Sequence, residues 1–267
     1  MAPGGSREWN AGSYDRVSGP QFAWGEEVVD ELELDGSETV LDAGCGSGRV
    51  SELVLARLDE AAGGRLICVD GSQAMVAEAQ RRLGAGVKVV HSDLLELGVG
   101  DLGGPVDALI STATFHWLLD HDALFTRVLE WLRPGGRMRA QCGGEGNTAR
   151  FYSIATEVSR REPYAAHIGA MPQIHNFASA EETAARLERL GFSDVECWLQ
   201  PRDTQPEEPR EFIHTVCLGP HVDALPEQLR GPFVDDVFAL WSERDGGVPV
   251  LDYVRLNIKA RRPLSAD

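Results

Sequence analysis

Lysine is nearly absent from this chain. Lys88 and Lys259 are the only two among 25 basic residues, so Schiff-base chemistry has few candidates. The five cysteines (Cys45, Cys68, Cys142, Cys197 and Cys217) form no CxxC pair and no Cys/His cluster. That spacing suggests neither a disulfide framework nor a zinc site, and no metal is expected. No run of about 18 apolar residues occurs, and Met1 to Asn10 lack the apolar core of a signal peptide. Positive charge is also scarce, 25 Lys+Arg against 42 Asp+Glu, for a formal charge of −17. Nucleic acid and anionic membranes both require local positive potential, so neither is an expected partner. A cytoplasmic protein acting on a small molecule is the starting expectation, with oligomeric state left open.

What is present is a rhythm of short apolar runs and amphipathic stretches. Strands are expected at 39–42, 65–70, 87–91, 106–111 and 137–142. Helices are expected at 50–58, 72–83 and 122–132, the last stopping at the Arg133-Pro134-Gly135-Gly136 turn. Such alternation implies right-handed crossovers and a doubly wound α/β parallel sheet. Past residue 143 the pattern loosens. Residues 143–177 are poorly periodic, a helix (180–190, with Gly191 beyond its end) and a strand (194–199) follow, and eight of 14 prolines lie from Pro201 onward. Loops and short helices are expected there, forming a cap, before a last alternating strand at 250–260. The acidic run from Glu26 to Glu38 reads as a solvated helix face.

The sharpest motif is Val40-Leu41-Asp42-Ala43-Gly44-Cys45-Gly46-Ser47-Gly48. Glycines after a first buried strand let the backbone turn tightly and approach a ligand. A dinucleotide site needs G-x-G-x-x-G; here the spacing is G-x-G-x-G, with Asp42 before it, where an acid would repel a pyrophosphate. Asp70 ends the second strand, where a ribose-binding carboxylate belongs. Two carboxylates and a loop unsuited to phosphate point to S-adenosyl-L-methionine (SAM), which carries an ammonium, a sulfonium and a ribose diol.

Residues 38–142 resemble a class I SAM-dependent methyltransferase. VLDAGCGSG, VDGSQAM, HSDLLEL, DALISTATFHW and LRPGGRM match its motifs in order. The resemblance implies a Rossmann-like, mostly parallel seven-stranded sheet with an antiparallel last strand and a helical cap. It implies a lid over residues 1–36, then a methyltransferase domain over 37–267 with cap segments near 143–178 and 203–247. Asp70 is implied on the ribose, Asp93 on the adenine amine and Leu94 beside the ring. Trp9, Tyr14, Asp42, Gly44, Cys45, Gly46, Gly71, Ser72, Met75, Ser92, Ser111 and Thr112 complete the implied cofactor set.

The Trp9–Tyr14 segment followed by Pro20-Gln21 resembles the lid of small-acid methyltransferases, the trans-aconitate and juvenile hormone acid groups. In the latter a Gln and a Trp hold the substrate carboxylate, and Gln21 and Trp117 match those positions. No arginine cluster suited to a tricarboxylate is evident. A carboxylate is already ionised at neutral pH, so its attack on a sulfonium methyl requires alignment and no obligatory base. In the plainer alternative Trp117 is a core anchor and Gln21 a lid surface residue. His116, after the fourth strand, is either packed against the lid or the base for a hydroxyl, amine or carbon acceptor. His121 reads as part of a helix start capped by Asp120 or Asp122. His167 and His175, in the cap, either line the pocket or, more simply, are solvated loop residues, and no pattern assigns His214 or His221.

Overall fold

Each central strand is short, β-branched and apolar on both faces, the composition of a strand covered by helices on either side. In the computed structural model, which describes residues 8–264, seven strands form: β1 Thr39–Ala43, β2 Arg65–Asp70, β3 Lys88–His91, β4 Val106–Thr112, β5 Leu132–Gly143, β6 Ser193–Pro201 and β7 Val254–Arg261. They lie in one sheet in the order β3-β2-β1-β4-β5-β7-β6. The first five are parallel, and β7 runs antiparallel between β5 and β6. The order reverses beside β1, so the carboxyl ends of β1 and β4 open a crevice where doubly wound sheets bind ligands.

Alternation along the strands sends side chains to two cores. Leu41, Ile67, Leu109 and Ile258 pack with Phe125, Val128 and Trp131 of the helix His121–Trp131 and with Leu187 of Ala180–Leu190. Val40, Cys68, Ala108 and Ile110 pack on the opposite face with Val28 and Val29 of the helix Gly19–Asp30 and with Leu32 just beyond it. Asp120 caps the helix that follows it by accepting from the Ala123 N–H at 2.9 Å. Gly191, at φ +99°, ends the helix before β6.

Three departures from expectation have physical causes. β5 begins at Leu132, because the Pro-Gly-Gly turn is absorbed as an irregularity in the pairing with β4 between Val106 and Ala108. The loosely patterned segment contains a regular helix, Ala149–Ser159, burying Phe151, Ile154, Ala155 and Val158. The proline-rich tail holds an 18-residue helix, Glu227–Arg244, which runs through Pro232 and buries Phe233, Val234, Val237 and Trp241. These helices, with the shorter ones at Ala165–Ile168, Pro209–Phe212 and Gly219–Ala224, form a third core with Trp24 and Tyr253.

The acidic run is not wholly solvated. Glu38 is 6% exposed, accepts from the Asp35 and Gly36 N–H groups and pairs with Arg137 at 2.6 Å. Glu31 meets Arg139 at 3.1 Å and Lys259 at 3.0 Å. Among the described residues no helix is long and apolar enough to cross a membrane.

Candidate active site

The crevice holds a cavity of about 520 Å³. Its floor is the turn after β1, where Gly44 adopts φ +82° and Gly46 φ +55°. A Cβ on Gly44 would stand 2.2 Å from Thr114, whereas one on Gly46 would meet nothing within 4 Å. The first glycine is therefore fixed by its neighbour, and the second leaves bare backbone facing open space.

Asp70 ends β2 beside that loop. One of its oxygens accepts from the Gly46 N–H and the other from the Ser72 N–H, both at 2.9 Å. Burial pushes its pKa up, against the pull of those two donors. Each oxygen can accept a further hydrogen bond, and Asp70 lines the cavity, an arrangement that suits a diol. Among the described residues no lysine lines this cavity and one arginine does, Arg49, which is turned to the Asp15 carbonyl at 3.0 Å and lies over the Phe22 ring. A cradle of glycine backbone, a diol-accepting carboxylate and little positive charge fits a cationic nucleoside better than a pyrophosphate.

Of the residues expected at the cofactor, Trp9, Tyr14, Gly44, Cys45, Gly46, Asp70, Gly71, Ser72, Met75, Ser92, Asp93, Leu94 and Thr112 line this cavity together. Asp42 and Ser111 do not. Asp42 is 1% exposed, lies behind the loop and accepts from the Ser51 hydroxyl at 2.6 Å; its other oxygen has no partner, and burial pushes its pKa up to about 7. Ser111 donates to the Ala43 carbonyl at 2.6 Å and so ties β4 to β1. Both stand behind the cavity wall, not on its surface.

The N-terminal segment crosses the cavity. The Trp9 N–H donates to the Ser72 hydroxyl at 3.2 Å, and the Glu8 carboxylate accepts from the Gln73 N–H at 3.0 Å at the start of the helix Gln73–Leu83. Asp15 binds the Ser47 hydroxyl and the Arg82 guanidinium. The expected lid also covers residues 1–7, which lie outside the described residues.

A smaller cavity of about 40 Å³ adjoins the first and shares Trp9, Tyr14, Gln21, Ala113 and Trp117 with it. Ala113 sits at φ +55°, a left-handed conformation that costs an alanine energy. The remaining wall includes His116, Asn147, Tyr152, His175, Phe177, Val216, Cys217, Tyr253 and Arg255. Val216 and Cys217 come from a π-helical turn, Ile213–Cys217, closed by the Leu218 N–H on the Ile213 carbonyl at 2.7 Å. Among the described residues no carboxylate lines this second cavity.

His116 is 8% exposed, and its Nδ1 accepts from the Gly143 N–H at 3.3 Å. Burial, with help from His175 and Arg255, drives its pKa well below the usual value. The ring is therefore neutral with its proton on Nε2, and it stacks on His175 and Phe177. His175, read as either pocket-lining or solvated, lines this cavity; it and His221 are buried, each with a pKa lowered to about 4 by desolvation. Gln21, expected at the lid surface in the plainer alternative, is buried; its Nε2 donates to the Tyr253 hydroxyl at 3.1 Å, and its Oε1 has no partner. Trp117 stands edge-on to Trp9, 5.4 Å between ring centres, and is only half-buried. Tyr253 and Arg255 were not singled out in the sequence. Their signal was there: an arginine inside an alternating apolar strand.

Comparison with known proteins agrees with this geometry. Residues 40–136 match the methyltransferase domain family. A trans-aconitate 2-methyltransferase of Methylobacterium nodulans is 27% identical over 96% of this chain and 98% of its own length. One from Acidovorax ebreus is 29% identical over the same shares. Among solved structures, phosphoethanolamine N-methyltransferase 2 of Haemonchus contortus, in complex with S-adenosylhomocysteine, superposes with a TM-score of 0.61 at 19% identity. That likeness of fold covers 96% of this chain, which spans 57% of the nematode enzyme. Fold, glycine loop and domain match define a SAM-dependent methyltransferase. Along nearly its whole length the chain is similar to the trans-aconitate 2-methyltransferases.

Proposed function

We propose that this enzyme methylates a carboxylate oxygen of a small, partly apolar acid. One observation carries the proposal: among the described residues, the smaller cavity has no group able to take a proton from the acceptor. The His116 Nδ1 lone pair is committed to the Gly143 N–H. His175, with a pKa near 4, is too weak a base to deprotonate an alcohol or phenol, and the Cys217 thiol is pushed up to about 12. An acceptor entering such a site should already be anionic. The relatives' name, trans-aconitate 2-methyltransferase, also points to an acid.

Bound SAM supplies an electrophilic sulfonium methyl. Asp70 would receive the ribose diol, while Asp93 and Leu94 would receive the adenine and Trp9, Tyr14 and Met75 would close over it. The remaining Nε2–H of Gln21 and the Trp117 indole N–H would hold the acceptor carboxylate. Neutral donors fix an oxygen without the tight ion pair that would dull its nucleophilicity, and alignment alone can supply roughly 7–11 kcal/mol. Phe177, Ile174 and Val216 give the acceptor's carbon skeleton an apolar surface. In this scheme the segment from residue 8 to the helix Gly19–Asp30 is a lid, and the helical layer beyond β5 is the cap.

The test is a screen of small acids with methyl-labelled SAM, followed by mild alkali. A carboxyl ester releases labelled methanol. A base-stable product would overturn the carboxylate assignment in favour of a hydroxyl, amine or carbon acceptor.

A further inference from the structure

One charge in the acceptor cavity has no counterpart. Arg255 projects from β7, opposite Gly143 of β5 and Gln200 of β6, and is 3% exposed. Its guanidinium lies over Trp24, 5.0 Å from the ring centre, with Tyr253 at 5.9 Å. Among the described residues no carboxylate pairs with it and no group accepts its hydrogen bonds; its Nε is buried without a partner. Arg139, buried on the adjacent strand, shows what this fold does otherwise: it pairs with Glu31 at 3.1 Å and donates to the Asn257 side chain at 2.9 Å. Aromatic faces offset part of the cost of burying a cation, but an unpaired guanidinium in the interior is among the most expensive groups a protein can hold.

The surroundings do not cancel it. The Tyr14, Tyr253 and Cys142 protons are held more tightly than usual by burial, and His116 and His175 are held neutral. The cavity therefore carries one net positive charge beside a floor of neutral donors.

We propose that Arg255 receives a second anionic group of the methyl acceptor, one that is not methylated, so that the enzyme selects acids carrying at least two negative charges. The proposal rests on the carboxylate reading and adds a division of labour to it. A carboxylate gripped by a guanidinium has its charge neutralised and its oxygens committed to hydrogen bonds, which makes it a poor nucleophile and a good anchor. The carboxylate at Gln21 and Trp117, held by neutral groups, keeps its reactivity. Arg255 thus sets specificity and orientation and takes no part in bond formation.

The experiment uses the full chain loaded with S-adenosylhomocysteine and titrated calorimetrically with fumarate, glutarate and trans-aconitate, each against its monomethyl ester. In the wild type at least one diacid should bind more tightly than its ester. Arg255→Met should weaken that diacid about 10²-fold or more while changing the ester by only about threefold. Arg255→Lys should fall between, and affinity for S-adenosylhomocysteine should not move. With an acid that is turned over, the loss should appear in KM, with kcat kept within a few-fold. The melting midpoint of ligand-free Arg255→Met should equal or exceed that of the wild type, because an unpaired buried charge has been removed; a purely structural arginine would lower it.

Equal losses for diacid and ester would mean that Arg255 grips the reacting group, and would overturn the proposal. So would an unchanged preference in Arg255→Met, or a wild type that prefers no diacid over its ester. The carboxylate reading fails separately, through a base-stable product. A base-labile product together with an unchanged preference in Arg255→Met sinks only the role given to Arg255.

Discussion

Gly44→Ala separates two costs that the loop after β1 imposes at a single atom. The residue sits at φ +82°, where an L side chain costs roughly 1–2 kcal/mol. The new Cβ would also lie 2.2 Å from the Thr114 Cγ2 and Oγ1 and 2.6 Å from its Cβ, far inside contact distance. Thr114 cannot swing away cheaply, since its hydroxyl lies 3.1 Å from the Gly44 carbonyl and 3.0 Å from that of Thr112. Overpacking of this kind costs about 1–3 kcal/mol, for a total of about 2–5 kcal/mol. For a chain of this size each kcal/mol moves the melting midpoint by about 2–4 °C, so a fall of about 4–20 °C is expected. Turnover should drop about 10²-fold as the loop shifts against the cofactor. Thr114→Gly removes all three clashing atoms, so in that background Gly44→Ala should retain only the roughly 1–2 kcal/mol backbone share. Melts of the four proteins in the cycle, with calorimetric titration of S-adenosylhomocysteine, measure both parts. An equal penalty in both backgrounds would refute the clash; a penalty under about 1 kcal/mol in the wild type would refute the whole account.

Two further outcomes follow from the buried ionisable groups. His116→Gln should reduce kcat/KM by less than about tenfold, against the ~10²–10⁴-fold expected for loss of a general base. The wild-type profile should show no histidine inflection near pH 6.5, because His116 stays neutral there; a base-like collapse of the variant would contradict the assignment. Asp42 has a folded pKa near 7, above its unfolded value, so the folded state holds its proton more tightly. Stability contributed by that proton is full at low pH and is lost as pH rises from about 4 through about 7. Asp42→Asn, which can still accept from Ser51, should therefore raise the ligand-free melting midpoint at pH 8 more than at pH 5. An equal change at both values would dismiss the linkage.

The cofactor half of the molecule was legible because its signals are local. Strand, glycine turn, helix and acidic strand end follow one another within β1 to β2, and β1, β2 and β4 fall within one residue of their expected ends. The cap was read poorly for a different reason. Phe151, Ile154, Ala155 and Val158 do repeat with a helical period, but over only 11 residues inside a longer irregular stretch. In Glu227–Arg244 the Gly231-Pro232 pair hid a pattern that begins one residue later. The acceptor wall was least legible of all. Gln21 meets Tyr253 across 232 residues of sequence. Arg255 and Asn257 look like the solvated side of an edge strand until β6 pairs beyond them and the helix Gly19–Asp30 covers that face.

The placement of β7 has a consequence for synthesis. All five parallel strands, and with them the glycine turn and Asp70, are present once Gly143 has left the ribosome. Tyr253 and Arg255 emerge much later, and only then can Gln21 find its hydroxyl partner. The glycine-turn floor is thus made before the second cavity's wall is complete, to which Gln21, His116 and Trp117 contribute early and Tyr253 and Arg255 last. A chain that stops at the cap would carry the Asp70–Gly46 cradle with that wall unfinished.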